Sequence, residues 1–504
     1  MCLLCELCGY IPFIFASRLE QPMDRQKIQA RFSDIRTWLT FFFLVRFVGI
    51  ANAPLEIGHS WRQSLTNMTA RNFYENGIDL LHPMIDMAGE KSGILGSEFP
   101  FFNALIALMA DVFGYEHWYG RLINLIVSTL GLYFFYKLIR AILNEKIAFS
   151  STLVLCVSIW FGFSRKSMPD TFSVSLVIIA LYGAYLYLKE GKWLPLFAFF
   201  TLATLGILCK IPALALLSVL GVAPFVSSIP VKRIGVLNAF GALSVGVVGL
   251  WYFYWVPYLV KTYGFELYIN KGLTLGCQEI WGMKAATLEK FYFSAFHSYV
   301  ALATFLVGLY FLIKKGNSRI WLALSLYTFV FFVFVILTGD VFPKHSYYVI
   351  PFVPLMALVV GYFFAEIPPK YATLLLAIIA IESIANQQHD FFIKGSEKYK
   401  LTLEPLVEKT IPKDSKIVIN GGDSPQHIYF AHRKGWTVDS DKILRTDFVD
   451  SLSNLGAQYL IVDKQAIPEA LFFYTKASSN TGYVIYQLNR KTKPFERKTG
   501  KRIP

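Results

Sequence analysis

The sequence predicts a membrane all-α protein, a polytopic helical bundle of about eleven transmembrane helices with a small C-terminal α/β extramembrane domain. Three observations lead there. Of 504 residues, 55% are hydrophobic and 16% charged, with 45 Phe and 28 Tyr, a balance too apolar for a soluble chain of this length. Apolar stretches of about 17 to 25 residues, each able to cross a hydrocarbon core as a helix, recur through roughly the first 390 residues. From Gln387 onward short β-rich runs between turn formers take over.

In chain order, residues 1–34 are expected to be a cytoplasmic segment. Cys2, Cys5 and Cys8 form a CxxCxxC without a nearby fourth ligand, so neither a metal site nor a disulfide framework is read there. No basic residue precedes the apolar piece 10–16, which argues against a cleavable signal peptide, and Met23 makes residues 1–22 a candidate untranslated leader. Arg25, Lys27, Arg31 and Arg36 precede a first span over 38–52, so the positive-inside rule puts the N-terminus in the cytoplasm. The loop 53–116 then lies outside and carries Glu56, His59, Arg62, Arg71, Glu75 and Glu98. This density of reactive side chains marks it as a catalytic loop. Within it, 101–113 is apolar but short for a crossing and ends at Gly114, as expected of a helix on the membrane surface.

Further spans are expected over 117–138, 147–163, 171–188, 194–208, a stretch ending at Val231, 234–255, a stretch ending at Lys314, 321–337, 348–364 and 371–385. Together with the loop these make one transmembrane catalytic domain, 35–389. The formal charge of +14 sits in basic clusters on the turns between spans, which reads as topology and affinity for anionic lipid and not as nucleic-acid binding. In 390–490, strands are expected over 416–420, 458–462 and 483–488, with a helix over 448–455, forming an α/β domain on the outer side. The pair Gly421-Gly422 lacks the third glycine of a dinucleotide fingerprint, and His427 and His432 lack metal-ligand companions. The basic tail 491–504 is expected to be unstructured.

Charged residues beside apolar spans are costly and usually line a cavity, which singles out Asp170, Lys210 and Lys344. Carboxylates combined with Lys and Arg suit a substrate whose leaving group is phosphate: cations hold its oxygens while a carboxylate or His takes a proton from the attacking hydroxyl. That chemistry is glycosyl transfer from a lipid-linked phosphate sugar. A flippase or secondary transporter is the rival from another class, but no inverted repeat or matched pair of Gly/Pro-broken spans is visible. A non-catalytic lipid-binding or assembly protein is a third reading.

The order of features resembles the GT-C glycosyltransferases over roughly residues 35–390. These features are the outer loop after span one, Arg121 opening a span, SMPD at 167–170, LGILCK at 205–210 and FPKHSYYVIPFVPL at 342–355. Within that superfamily the chain looks like the branch of the protein O-mannosyltransferases and the lipid A aminoarabinose transferase. There the base is usually an acidic residue just after the first span, commonly in an Asp-Glu pair. This sequence departs from that pattern: aligning TARNFYENG with the family's helix puts His59-Ser60 at the pair, with Glu56 three residues earlier. In a bacterial sub-branch that shares HSWRQ, ARNFYENG and EFP, an Asp often stands where this chain has Leu65.

The resemblance therefore implies His59 or Glu56 as base, with Asp170 and Glu98 as further catalytic acids. Lys210, Lys344, Tyr348, Arg62 and Arg165 are the candidate donor-phosphate contacts. Each has a blander reading. His59 can be an interfacial histidine satisfied by backbone, and Glu98 an acid stabilising the start of the 101–113 helix. Asp170 can be a helix N-cap, Arg165 an interface anchor, Lys210 and Lys344 snorkelling lysines, and Arg62 a partner of Glu75. The expected function is an inverting glycosyltransferase moving a sugar from a polyprenyl-phosphate donor to a periplasmic acceptor, a surface polysaccharide or lipid A. Protein O-mannosyl transfer is the alternative within the class. The expected setting is the bacterial inner membrane, with the site and the C-terminal domain toward the periplasm. Expected partners are the donor lipid, a glycan, lipid or protein acceptor and membrane lipids, with no nucleic acid. No cofactor or metal is expected to be obligatory, a divalent cation being the open variant.

Overall fold

The computed structural model describes residues 32–265, 271–315, 318–468 and 474–491. The cysteine motif, Met23, Arg25, Lys27 and Arg31 lie outside these described residues, as does the tail from 492 onward.

Helices form where the apolar stretches predict them. Before the polar loop comes α1 (Ile35–Arg46), and within the loop lie α2 (Ser60–Asn76) and α3 (Phe101–Phe113). Then follow α4 (Tyr119–Ile142), α5 (Glu145–Val157), α6 (Pro169–Glu190) and α7 (Trp193–Cys209), the last leading into a 3-10 stretch over Ile211–Phe225. Beyond it are α8 (Val231–Tyr263), the loop helix α9 (Leu273–Gly282), α10 (Lys284–Ser294), α11 (Tyr299–Lys315), α12 (Ser318–Thr338), α13 (Ser346–Glu366) and α14 (Pro369–Gln387). Among the described residues α4, α6, α8, α12 and α13 are long and apolar enough to cross a membrane, and α10 with α11, bent by 92°, make a sixth if counted as one broken span.

Three expected spans differ, the stretch ending at Val231 being the 3-10 helix Ile211–Phe225 with Pro224 inside it. The stretch 38–52 is helical only to Arg46 and then runs through turns, with Gly49 at φ 67°. The stretch 147–163 breaks at Ser158, where the freed carbonyls are met by α14: Gln387 Nε2 donates to Val157 O and Ser158 O, both at 3.1 Å. A break in an apolar layer is tolerated when a neighbouring helix supplies such donors. Small residues let the helices approach closely. A Cβ on Gly131 of α4 would meet Ser175 of α6 at 2.5 Å, and one on Gly361 of α13 would meet Ser151 of α5 at 2.6 Å.

The C-terminal unit is a five-stranded mixed sheet, β1 (Lys416–Ile419), β2 (Gly435–Thr437), β3 (Ala457–Asp463), β4 (Tyr474–Ser479) and β5 (Tyr483–Lys491), in the order β2-β1-β3-β5-β4. β1 runs parallel to both β2 and β3, in register Val418 to Leu460, while β5 pairs antiparallel with β3 and β4. Helices α15 (Leu403–Thr410), α16 (Gln426–Ala431) and α17 (Thr446–Asn454) cover it. Strands β2 and β4 escaped the sequence reading because one is three residues long and the other, YTKASS, is a polar edge.

This sheet is not a detached unit. One apolar cluster joins Leu55, Leu65, Met68, Ile85 and Leu95 of the loop to Ile417, Ile419, Ile428 and Ile461 of the sheet domain. Backbone bonds seal the seam: Gly435 N donates to Asp86 O at 2.9 Å and Gly89 N to Gly435 O at 2.8 Å. Gly435 has φ 153°, and a Cβ there would meet Ile417 O at 1.9 Å. Only glycine fits between strand β1 and the 86–89 loop segment at that point.

Candidate functional site

Helix α2 positions the site. Its sequence, SWRQSLTNMTARNFYEN, is polar, yet Gln63 to Phe73 are all buried. A polar helix stays buried only if its side chains are bonded on every side. Gln63 Oε1 accepts from Arg121 Nε at 3.2 Å and from Ser167 N at 3.1 Å. Asn67 donates to His117 O at 3.0 Å and accepts from Ser167 Oγ at 2.6 Å. Arg71 donates to Tyr429 O at 2.8 Å, and Asn72 to Asp86 Oδ1 at 2.9 Å. Thus α2 is held by α4 and the 164–168 turn on one side and by the sheet domain on the other.

At its N-terminal end four charged side chains converge. Glu98 bridges two cations, Oε2 to Arg62 Nη2 at 2.6 Å and Oε1 to Lys210 Nζ at 2.8 Å. Lys210 also lies 3.6 Å from Asp170 Oδ1, and its ammonium sits 5.3 and 5.2 Å from the ring centres of Tyr347 and Tyr348. Burial pushes the Glu98 carboxyl up, but Arg62 and Lys210 outweigh it and hold the group well below the usual carboxylate range. The side chains of Arg62 and Glu98 are 15% and 20% exposed, and both line a narrow cleft of about 30 Å³ with Thr66, Ser97, Pro169 and Cys209. Asp170 Oδ2 is buried and accepts no hydrogen bond within the protein. That leaves one carboxylate oxygen without a partner inside the protein.

The local sequence explains the convergence. Lys210 sits in extended backbone between α7 and the 3-10 stretch that begins at Ile211, with Pro212 in its first turn. Asp170 follows Pro169, the first residue of α6, so it lies inside the first turn and is not the N-cap. Nor does Glu98 cap α3, whose N-cap Pro100 has no side-chain bond. Arg62 is bound to Glu98 and not to Glu75, which instead pairs with His432 at 2.6 Å.

Three predicted contacts lie elsewhere. Glu56 is wholly buried between Arg121 Nη1 at 3.0 Å and Arg165 Nη1 at 3.3 Å, with Asn52 Nδ2 at 3.0 Å. Sealed this way it cannot meet a substrate hydroxyl. Arg165 is spent on Glu56, on the carbonyls of Arg46 and Val48, and on the Phe391 ring 4.1 Å away. Lys344 pairs with Asp340, which also holds Lys271 at 3.2 Å, and its side chain is half exposed. It shares no contact with the Glu98 group.

His59 is near the cluster without joining it. It adopts φ 58° at the start of α2, its Nε2 lies 3.2 Å from Ser346 Oγ, and its ring packs 4.9 Å from that of Tyr347. Burial, with Lys166 and His345 adding to it, pushes its pKa down to about 3. The neighbouring Lys166 pairs with Asp390 at 2.9 Å and donates to Gly58 O at 3.0 Å. In the sequence Lys166 stands beside Arg165 as an interface anchor and Tyr347 belongs to the loop of Tyr348, whereas nothing local marks Asp390. Among the described residues no group of three or more His, Cys, Asp or Glu is arranged to hold a metal ion.

Comparison with known proteins follows the same lines. Residues 97–256 match the family model of dolichyl-phosphate-mannose-protein mannosyltransferase. No curated protein matches the chain by sequence. Among solved structures, ArnT from Cupriavidus metallidurans bound to undecaprenyl phosphate superposes with a TM-score of 0.59 at 12% identity, over 89% of this chain and 98% of that one. ArnT in the apo state gives 0.60 at 11% identity, over 89% and 97%. The archaeal oligosaccharyltransferase AglB from Archaeoglobus fulgidus, with an inhibitory peptide and a dolichol-phosphate, gives 0.56 at 12%, over 90% and 74%. The chain therefore shares the overall fold of ArnT and AglB, and residues 97–256 are similar to the protein mannosyltransferase family.

Proposed function

We propose that the protein is an inverting membrane glycosyltransferase that moves a sugar from a polyprenyl-phosphate donor to an acceptor outside the bacterial inner membrane, a surface polysaccharide or lipid A. The observation that carries the reading is the buried group Arg62, Glu98, Lys210 and Asp170 at the mouth of the helical bundle. An acceptor hydroxyl attacks the anomeric carbon, the bond from that carbon to the phosphate oxygen breaks, and its electron pair leaves with the phosphate. Asp170, through its unpartnered oxygen, takes the hydroxyl proton, while Lys210 and Arg62 neutralise the departing phosphate. A single displacement of this kind inverts the anomeric centre. The reaction needs no obligatory metal, and a divalent cation is compatible with it.

Two further observations support a lipid-linked donor. ArnT and AglB are described with undecaprenyl phosphate and dolichol-phosphate respectively. An apolar groove of about 490 Å³, lined among others by Leu288, Phe291, Leu302, Phe305, Phe352 and Met356, opens beside the segment that carries Tyr347 and Tyr348. Its size and lining suit a ligand's apolar part. The test is binding of undecaprenyl phosphate to the full-length protein in nanodiscs. Wild type is expected to bind and Lys210→Met to bind at least about 10-fold more weakly, as removal of a charge-assisted contact predicts. Equal binding by both would refute the assignment of Lys210.

A further inference from the structure

Both carboxylate oxygens of Glu98 are occupied, one by Arg62 at 2.6 Å and the other by Lys210 at 2.8 Å. Two oxygens about a carbon, each taking one cation, imitate the two non-bridging oxygens of a phosphodiester. The group as it stands is electrically balanced, with Arg62 and Lys210 against Glu98 and Asp170. A donor phosphate added to it would put three anions on two cations in a largely buried site, where an uncompensated charge disfavours binding. Balance returns if one carboxylate withdraws. Asp170 is 3% exposed and fixed in the first turn of α6, whereas Glu98 lies in an irregular bend, lines the cleft and is 20% exposed.

We propose that Glu98 is an internal counter-anion: it occupies the phosphate position of the empty site, yields it to the donor phosphate, and on returning helps expel the carrier phosphate after transfer. This deepens the function proposed above and rests on it. Because both ligands of the cation pair are anions, the affinity for donor reflects the exchange of one for the other and not the full attraction of two bare cations. Glu98 thereby trades donor affinity for release of the product lipid.

The experiment measures undecaprenyl phosphate binding to full-length wild type, Glu98→Gln and Glu98→Asp in nanodiscs, with thermal melting in parallel. Glu98→Gln is expected to bind about 10-fold more tightly than wild type, since the competing charge is gone. Glu98→Asp, one methylene shorter and unable to span both cations, is expected to fall between them. Unchanged or weaker binding by both variants overturns the inference while leaving the transferase reading intact. Absence of binding by folded wild type overturns that reading and the inference together. Should both variants melt below the working temperature, inorganic phosphate decides: recovery of the melting temperature supports a vacated anion site, and no recovery identifies Glu98 as a structural ion-pair member and overturns the proposal.

Discussion

Glu56 and Arg121 meet at 3.0 Å with no part of either side chain exposed. Arg165 completes the group at 3.3 Å, so one carboxylate compensates two guanidinium groups at the root of the loop. Removing a member of a buried pair strands its partners, at a cost of about 3–5 kcal/mol. Glu56→Gln is therefore expected to lower the melting temperature and the yield of folded protein in proportion to any loss of transfer. A Glu56→Gln protein that melts like wild type but transfers no sugar would mark Glu56 as the base instead.

His59 gives a contrasting expectation. Loss of a general base costs roughly 10²–10⁴-fold in rate. With its pKa near 3, His59 is neutral throughout the physiological range and too weak a base to serve well. Its left-handed backbone tolerates Asn better than most residues. His59→Asn is predicted to keep transfer within about 10-fold of wild type, and the pH–rate profile to show no limb in the neutral range that disappears in this variant. Kinetics from about pH 5.5 to 8.5 on both proteins check this.

The seam between α2 and the sheet domain contains a pH-dependent contact. His432 Nε2 lies 2.6 Å from Glu75 and its Nδ1 3.3 Å from Glu404 and 3.7 Å from Glu408, with Arg71 and Arg433 close by. Burial opposes the charge on His432, but Glu404 and Glu75 prevail and raise its pKa above 6.5. Burial likewise opposes the charges on Glu75 and Glu404, yet His432 and Arg71 hold both below 4.5. A raised histidine stabilises the seam fully below 6.5 and loses that contribution as pH rises through its folded value. The lowered carboxylates contribute above 4.5 and lose it as pH falls through theirs. Docking is thus strongest between pH 4.5 and 6.5, and amide exchange over residues 426–437 should quicken when pH is raised to about 8.5, after correction for intrinsic rates. His432→Gln should abolish the difference.

The sequence and the structure agree where information is local. Uniform hydrophobicity located the long helices, Gly114 marked the end of α3, and β-branched runs marked β1, β3 and β5. Pairing was not legible, because it depends on the approach of segments far apart in the chain. Nothing around Glu56 announces that Arg121 and Arg165 seal it; the pairing of Lys344 with Asp340, by contrast, is a local i,i+4 contact that the spacing already allows. Lys210 and Asp170 stood out because charge beside apolar spans is expensive, and these are the two that converge on Glu98 and Arg62. The polar helix α2 is buried because the fold supplies it with partners from the segment before α4 and from the sheet domain, which no local pattern announces.

The central claim is that this group of four transfers a sugar from a lipid phosphate. Mass spectrometry of lipid carriers, surface glycans and lipid A should compare a deletion strain with strains carrying wild type or Asp170→Asn at equal membrane abundance. Deletion and Asp170→Asn alike are expected to lose one sugar mass from a glycan or from lipid A and to accumulate a polyprenyl-phosphate sugar, both reversed by wild type. Unchanged glycans, lipid A and lipid carriers in the deletion strain, under conditions where the wild-type protein is made, would contradict it.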